Sequence, residues 1–578
     1  MKRSMNLFTK MFFVMAVCLL FVGKLSANNV SISNVTLVSD TIKFDISWDN
    51  SWRNTGTVNS TVNYDGVWVF IKYRDACDRT SSYPSAYNHV QLDSVVANHY
   101  TNGSGKQMGF SYVGSPLKRR AVGIYLYRPT DGTGTYTLTG LKLHWDQVAQ
   151  GTVGGNWDIR VNAIEMVYIP GEYPIGSGTG GMNFRLGCGN PTVNSATSYN
   201  FCNNSTGLVP YIVTGENVTI PLNTTGGLWT YSYTSGTATM PTTCPKGYGA
   251  FWCMKYEISQ QQYCDFLNSL DRQNQINNTY IGTGLGGSTG FNVITATTLS
   301  STYKWAMYTT SVSSPYTAVQ RQEIACPTTF AANMPVTFGC DMNNNGTYGE
   351  VDDGANTACN YLYYSNQVFL RNYLDWACLR PMSEMEYEKT CRGPIANVAY
   401  QTYEAVWGQD GSNGLYRNAS TGISPGTGGR VNEIMTPAPN SGSGSSVWAN
   451  NTGGPLRVGQ TYMPGSSSPA PTRSNTGSSY YGVADMSGNV ADFVWSYGNN
   501  PNYGNSQVST WLNRVTDIGD GDVNTTPPTS WSVAPNCYRG GAWDLASGSW
   551  QYLQISYRYC DQGSNANAGG RGVRTVNY

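Results

Sequence analysis

The chain has 578 residues, equal numbers of basic and acidic side chains (35 each), and only 12% charged residues against 13% aromatic ones. With no basic patch, this balance argues against nucleic acid as a partner. A surface made of Asn, Ser, Thr, Gly and 41 tyrosines suits rigid loops that touch ligands or neighbours, because Tyr offers contact area at low entropic cost.

Residues 1–27 read as a secretory signal peptide. Lys2, Arg3 and Lys10 precede an apolar run from Met11 to Gly23, and Leu25-Ser26-Ala27 offers a small-residue cleavage site. The run is too short to span a bilayer, and no other stretch approaches the ~20 apolar residues a spanning helix needs. The expectation is a secreted or cell-surface protein without a transmembrane segment. The signal holds four basic residues and no acidic one, so the remainder carries 31 basic against 35 acidic residues. Cys18 falls within the signal, and the other thirteen of the 14 cysteines face a compartment that permits disulfides. Their spacing includes no CxxC pair, which makes zinc a poor fit.

Residues 28–161 read as an antiparallel β-sandwich. In "TIKFDISW" the apolar Ile42, Phe44, Ile46 and Trp48 alternate with polar residues, and Leu141, Leu143 and Trp145 alternate likewise in "LKLHW". "VWVFIKY" and "VGIYLY" are short apolar runs between polar turns. The chain's three histidines, His89, His99 and His144, all lie in this part. They are read as ordinary sandwich residues, His144 as a solvated one, and not as a metal triad.

From residue 162 to 578 the texture becomes Gly- and Asn-rich, with three convincing helices. "SQQQYCDFLNSL" puts Tyr263, Phe266, Leu267 and Leu270 on one face with Ser259 as cap. "SNQVFLRNYLDW" buries Phe369, Leu370, Tyr373 and Leu374, and "PMSEMEYEKTCRG" has a capping box at Ser383 and Glu386 with Gly393 as the stop. Residues 394–482 read as loops.

Five segments of this second part, "MKYEISQQQYCDFLN", "LRPMSEMEYEKTCRG", "YYGVADMSGNVADFVWS", "YRGGAWD" and "GGRGVRTV", occur in an order that resembles the formylglycine-generating-enzyme-like (sulfatase-modifying factor) domain. "GGRGVRT" is similar to a subgroup common in Bacteroidota that often carries a β-sandwich in front. The resemblance implies an α+β fold: a loop-rich, C-type-lectin-like domain over 162–578, preceded by the all-β sandwich. It also implies where chemistry should sit. Enzymes of this family hold copper on two thiolates, as soft ligands suit Cu(I). The matching positions here are Leu545 and Trp550, with no cysteine between Cys537 and Cys560. Copper is therefore not expected, and catalysis is not favoured.

Calcium is expected at two places. In "DMNNNGTYGEVDD", Asp341, Asn343, Asn345 and Asp352 fall at the side-chain positions of a calcium loop, Gly346 allows the turn and Thr347 offers its carbonyl. In "DMSGNVAD" the family resemblance implies a structural calcium held by Asp485, Gly488, Val490 and Asp492. Around the expected substrate groove, Trp543, Trp550 and Tyr552, with Asn565 and Asn567, form a candidate ligand-binding platform, and Tyr557 and Tyr559 lie nearby. The functional expectation is a secreted, non-catalytic binding or structural component whose partner is an extracellular glycan, peptide or protein, self-assembly included. The alternatives are a copper-dependent oxidase that activates sulfatases and a diversified ligand-recognition protein on the same scaffold.

Overall fold

The structure is a computed structural model. It describes residues 30–55, 62–80, 84–113, 118–171, 181–187, 203–204, 207–208, 211–221, 239–240, 244–279, 323–327, 334–342, 345–350, 353–360, 368–394, 405–407, 446–447, 454–460, 476–495, 519–522, 536–544, 550–555 and 568–576, and the single positions 242, 321, 331, 362 and 557. The signal-like segment and most of 394–482 lie outside these residues.

Among the described residues, eight strands make the first part: β1 (Ser31–Val38), β2 (Thr41–Asn54), β3 (Asn63–Asp75), β4 (Asn88–His89), β5 (Gly105–Val113), β6 (Lys118–Tyr127), β7 (Gly132–His144) and β8 (Trp157–Ile169), with a one-turn helix α1 (Gln147–Gln150) before the last. All their pairings are antiparallel. The alternation read in β2 is real: Ile42, Phe44, Ile46 and Trp48 are buried while the residues between them are half-exposed. These side chains meet Val67, Val69 and Ile71 of β3 and Leu138, Leu141 and Leu143 of β7 in one core. β3 is buried on both faces, and this explains its unbroken apolar run. Trp68 and Phe70 point the other way, into the core of the second part.

β8 carries the sheet across the expected 161/162 boundary. Over most of its length it pairs with β3, from Asp75↔Trp157 to Asp65↔Val167. Its last residues also pair with β15 (Phe251–Met254), so the first and second parts share one sheet.

Between them come six short strands in three ribbons: β9 (Phe184–Leu186) with β12 (Tyr211–Val213), β10 (Asn203–Asn204) with β11 (Gly207–Leu208), and β13 (Ile220–Pro221) with β14 (Thr239–Met240). Another ribbon joins β16 (Ile324–Ala325) to β17 (Gly339–Cys340). The large sheet continues from β15 through β22 (Gly572–Thr575), β18 (Arg380–Ser383), β19 (Ala491–Trp495) and β20 (Asn536–Arg539), with β21 (Ala568–Gly569) beside β19. It is mixed, because β19 runs parallel to β18 and to β21. The protein is thus rich in sheet and carries few helices.

Among the described residues, the helices of the second part are α2 (Gln260–Leu267), α3 (Arg272–Asn277), α4 (Val368–Trp376) and α5 (Glu384–Arg392). Both expected caps form. The Ser259 hydroxyl accepts from the Gln262 amide. Ser383 and Glu386 exchange two hydrogen bonds, at 3.2 and 2.9 Å, and Gly393 ends α5 at φ 78°. Among the described residues, no helix is long and apolar enough to cross a membrane.

Candidate functional site

At the junction of the two parts lies a cleft of about 720 Å³, with a smaller recess of about 170 Å³ that shares Ile32, Val161, Asn162 and Asp265 as its lining. One wall is β1 and β8, where Ile32, Val35, Ile159 and Val161 form an apolar strip. The other wall is Asp265 and Asn268 at the end of α2 together with Met334, Pro335, Val336 and Thr337. β1 is an edge strand paired only to β2, and its outer side stays largely exposed.

Polar groups converge on this cleft. Arg74 and Arg160 lie against the Tyr87 ring, 4.3 and 4.2 Å from its centroid. Both are fixed: Arg74 pairs with Asp158 at 3.3 Å, and Arg160 donates to the Asn268 carbonyl at 2.8 Å. The Tyr87 hydroxyl completes the set by donating to Asp158 at 2.6 Å. Asp265 accepts from the Gln261 amide at 2.9 Å. Its carboxyl is open to the cleft, but the surrounding protein withdraws bulk solvent and lifts its pKa to about 6. An apolar wall with a few fixed hydrogen-bonding groups is what a ligand site requires.

The expected site residues fare differently. Trp543 is 7% exposed and packs in the main core, with its amide bonded to the Asn489 carbonyl at 2.8 Å. It therefore cannot serve as an exposed stacking ring, which corrects that expectation. Tyr552 is half-buried and meets Tyr557 edge-on at 4.7 Å. Trp550 opens a single 3-10 turn, Trp550–Leu553, but its side chain lies outside the described residues, as do Leu545, Tyr559, Asn565 and Asn567.

For calcium, the two segments part company. Asp341 is buried, and its two carboxylate oxygens accept the Asn345 and Gly346 amides at 2.9 and 3.2 Å around the turn that Gly346 makes at φ 80°. Asn345 accepts the Thr347 amide at 2.7 Å and donates to Glu350 at 2.5 Å. The described part of this loop is a hydrogen-bonded turn around the Asp341 carboxylate. Asn343 and Asp352 lie outside the described residues.

In the second segment the acids are engaged by protein groups. Both oxygens of Asp492 face the Arg571 Nε at 3.0 and 2.9 Å. The same guanidinium donates to the carbonyls of Ala484 and Asp485. The Asp485 carboxylate accepts the Gly459 amide at 2.5 Å, and the Val490 amide goes to Glu257. Gly488 turns at φ 83° and donates to the Gly540 carbonyl at 2.7 Å. Arg571 supplies a positive charge to Asp492, and Asp485, Gly488 and Val490 join the same buried region through hydrogen bonds. Among the described residues, no group of three or more His, Cys, Asp or Glu side chains is disposed to hold a metal ion.

The histidines make no triad either. His99 and His144 are neighbours, with ring centroids 6.4 Å apart and the His144 amide donating to His99 Nδ1 at 3.1 Å. His89 instead faces Cys378 in the second part. Five buried cysteines, Cys244, Cys253, Cys264, Cys340 and Cys378, are thiols and not disulfide partners.

No protein-family model matches the chain, and no curated protein matches it. The family resemblance therefore rests on the five sequence segments.

Proposed function

We propose that this is an exported, non-catalytic binding or structural protein of the cell surface or extracellular space, and that it takes its ligand in the cleft between the sandwich and the second part. The observation that carries this reading is the cleft itself. It joins an apolar strip on β1 and β8 to the Asp265 carboxyl and to a fixed Arg74–Tyr87–Arg160 stack. This chemistry suits a glycan or peptide segment, which offers both apolar faces and many hydrogen-bonding groups. Calcium, in this reading, belongs to the Asp341 loop as a stabiliser.

The second part is proposed to be a formylglycine-generating-enzyme-like domain of C-type-lectin-like fold, on the strength of its ordered motifs. A copper oxidase is not proposed, because Leu and Trp stand where two thiolates are needed. Purified protein given copper, oxygen and a sulfatase-type Cys-x-Pro-x-Arg peptide is expected to yield no formylglycine. Turnover above a no-enzyme control would overturn the non-catalytic reading.

A further inference from the structure

Lys255 leaves the end of β15 and buries its ammonium between two acids of the sandwich sheet. Its Nζ lies 2.9 Å from Asp65 Oδ2 on β3 and 2.9 Å from Glu165 Oε2 on β8. All three side chains are cut off from solvent. Nζ also donates to the Asn50 carbonyl at 2.9 Å and sits 4.6 Å from the centre of the Trp52 ring. On the other side of the Asp65 carboxyl, Oδ1 accepts the Ser51 hydroxyl and the Trp52 amide, both at 2.9 Å.

Two acids and one amine in a dry site leave a surplus negative charge unless a proton joins them. Glu165 is the place for it. Burial pushes its carboxyl up to about 7, and its Oε1 is buried without a hydrogen-bond partner among the described residues. Asp65 is raised by burial in the same way. The site thus holds an amine, a carboxyl and a proton carrier, fixed in contact and shielded from water.

We propose that Lys255 and Asp65 condense into an intramolecular amide that ties the second part covalently to the sandwich, with Glu165 as the proton carrier. The amine nitrogen attacks Asp65 Cγ. The charge that develops on Oδ1 falls on the Ser51 O–H and Trp52 N–H, which act as an oxyanion hole. The Cγ–Oδ2 bond breaks, and Oδ2 departs as water. Of the three protons on the ammonium, one stays on the amide nitrogen and two leave with Oδ2, passed by way of Glu165. The sum is ammonium plus carboxylate giving amide plus water, with no oxidant or reductant. Fixed contact between the reacting groups supplies the high effective concentration the condensation needs, and a dry site favours neutral amide over a buried ion pair. The link is independent of what the cleft binds.

The test is peptide mapping by mass spectrometry of the full-length purified protein after reduction and trypsin digestion. The expected species is a branched peptide that joins the Asp65 segment to the Lys255 segment, uncut at Lys255 and lighter than its two parts by one water. Recovery of both segments only as separate peptides would overturn the proposal, whatever any variant does. Glu165→Gln should give the unlinked peptides while retaining the wild-type circular dichroism spectrum; linkage as complete as in wild type would remove Glu165 from its role. Ser51→Ala, a milder change, should slow linkage after refolding by roughly 10²-fold, as loss of one oxyanion donor does. An unchanged rate would remove Ser51 from the oxyanion hole.

Discussion

The imidazole of His89 on β4 lies 3.6 Å from the thiol of Cys378 in the second part. Cys378 occupies the left-handed position, φ 57°, of a Schellman ending to α4: its amide returns to the Asp375 carbonyl and that of Leu379 to Leu374. Glycine is the usual residue there. Donors from β3 and β22 also satisfy the helix's terminal carbonyls. Lys72 donates to Trp376 at 2.7 Å, Trp68 donates to Ala377 at 2.9 Å, and Arg574 donates to Cys378. A positive charge at a helix C-terminus is also favourable to the helix dipole. Burial pushes the Cys378 thiol up to about 12 and, with Lys72 nearby, holds His89 well below its usual range. Both groups are therefore neutral. Cys378 should resist iodoacetamide at pH 8 in the folded protein and react readily in denaturant, as mass spectrometry of alkylated peptides would show. Fast native alkylation would mean an activated thiol.

Lys389 sets a pH dependence of stability. It is buried on α5, donates to the Gly249 carbonyl at 2.9 Å, and burial lowers its pKa to about 7. Between that value and about 10.5 the unfolded chain holds a proton that the folded chain has released, so this group makes stability rise with pH. Urea melts at pH 7 and 9 should show wild type gaining on Lys389→Met by on the order of 1–3 kcal/mol. A flat or opposite difference would contradict this.

Trp543 is predicted to be a core residue in energy as well as position. Trp543→Ala should cost about 3–5 kcal/mol by denaturant melting, the usual range for emptying a buried Trp site. Trp543→Phe should cost much less, because it also removes a buried indole N–H without a partner among the described residues. Tyr552→Ala, at a half-buried ring, should cost less than Trp543→Ala.

Calcium dependence should follow Asp341 and not Asp485. A ligand that binds only the folded state adds about 2.7 kcal/mol at a hundredfold excess over Kd, so chelation should lower the wild-type melting temperature. Asp341→Ala should melt low and ignore chelator. Asp485→Ala should lose stability through the missing acceptor for the Gly459 amide yet keep the chelator response. A chelator response lost in Asp485→Ala and kept in Asp341→Ala would reverse the assignment.

Local order was plain in the sequence. The alternation of β2, the caps at Ser259 and Ser383 and the stripe of α4 depend on neighbours within a few residues, and each took the form its pattern dictates. Long-range pairings had no such signal. Arg571 reaches Asp492 only because β22, β18 and β19 lie in that order in the sheet, and nothing local in "DMSGNVAD" announces that guanidinium. The cleft joins Ile32, Arg160, Asp265 and Val336, far apart in the chain and unremarkable alone. Trp543 shows the same limit from the other side, since an aromatic-rich segment reads alike whether its rings face solvent or core.

The reading as a cleft-binding protein is tested most directly by an unbiased glycan and peptide screen of the full-length protein, run side by side with Asp265→Ala. Asp265 is open to the cleft, so its loss should leave the fold intact. The account predicts at least one ligand that wild type retains and the variant loses or binds much more weakly. Equal retention of every ligand by the two proteins, or retention of none by wild type, would contradict it.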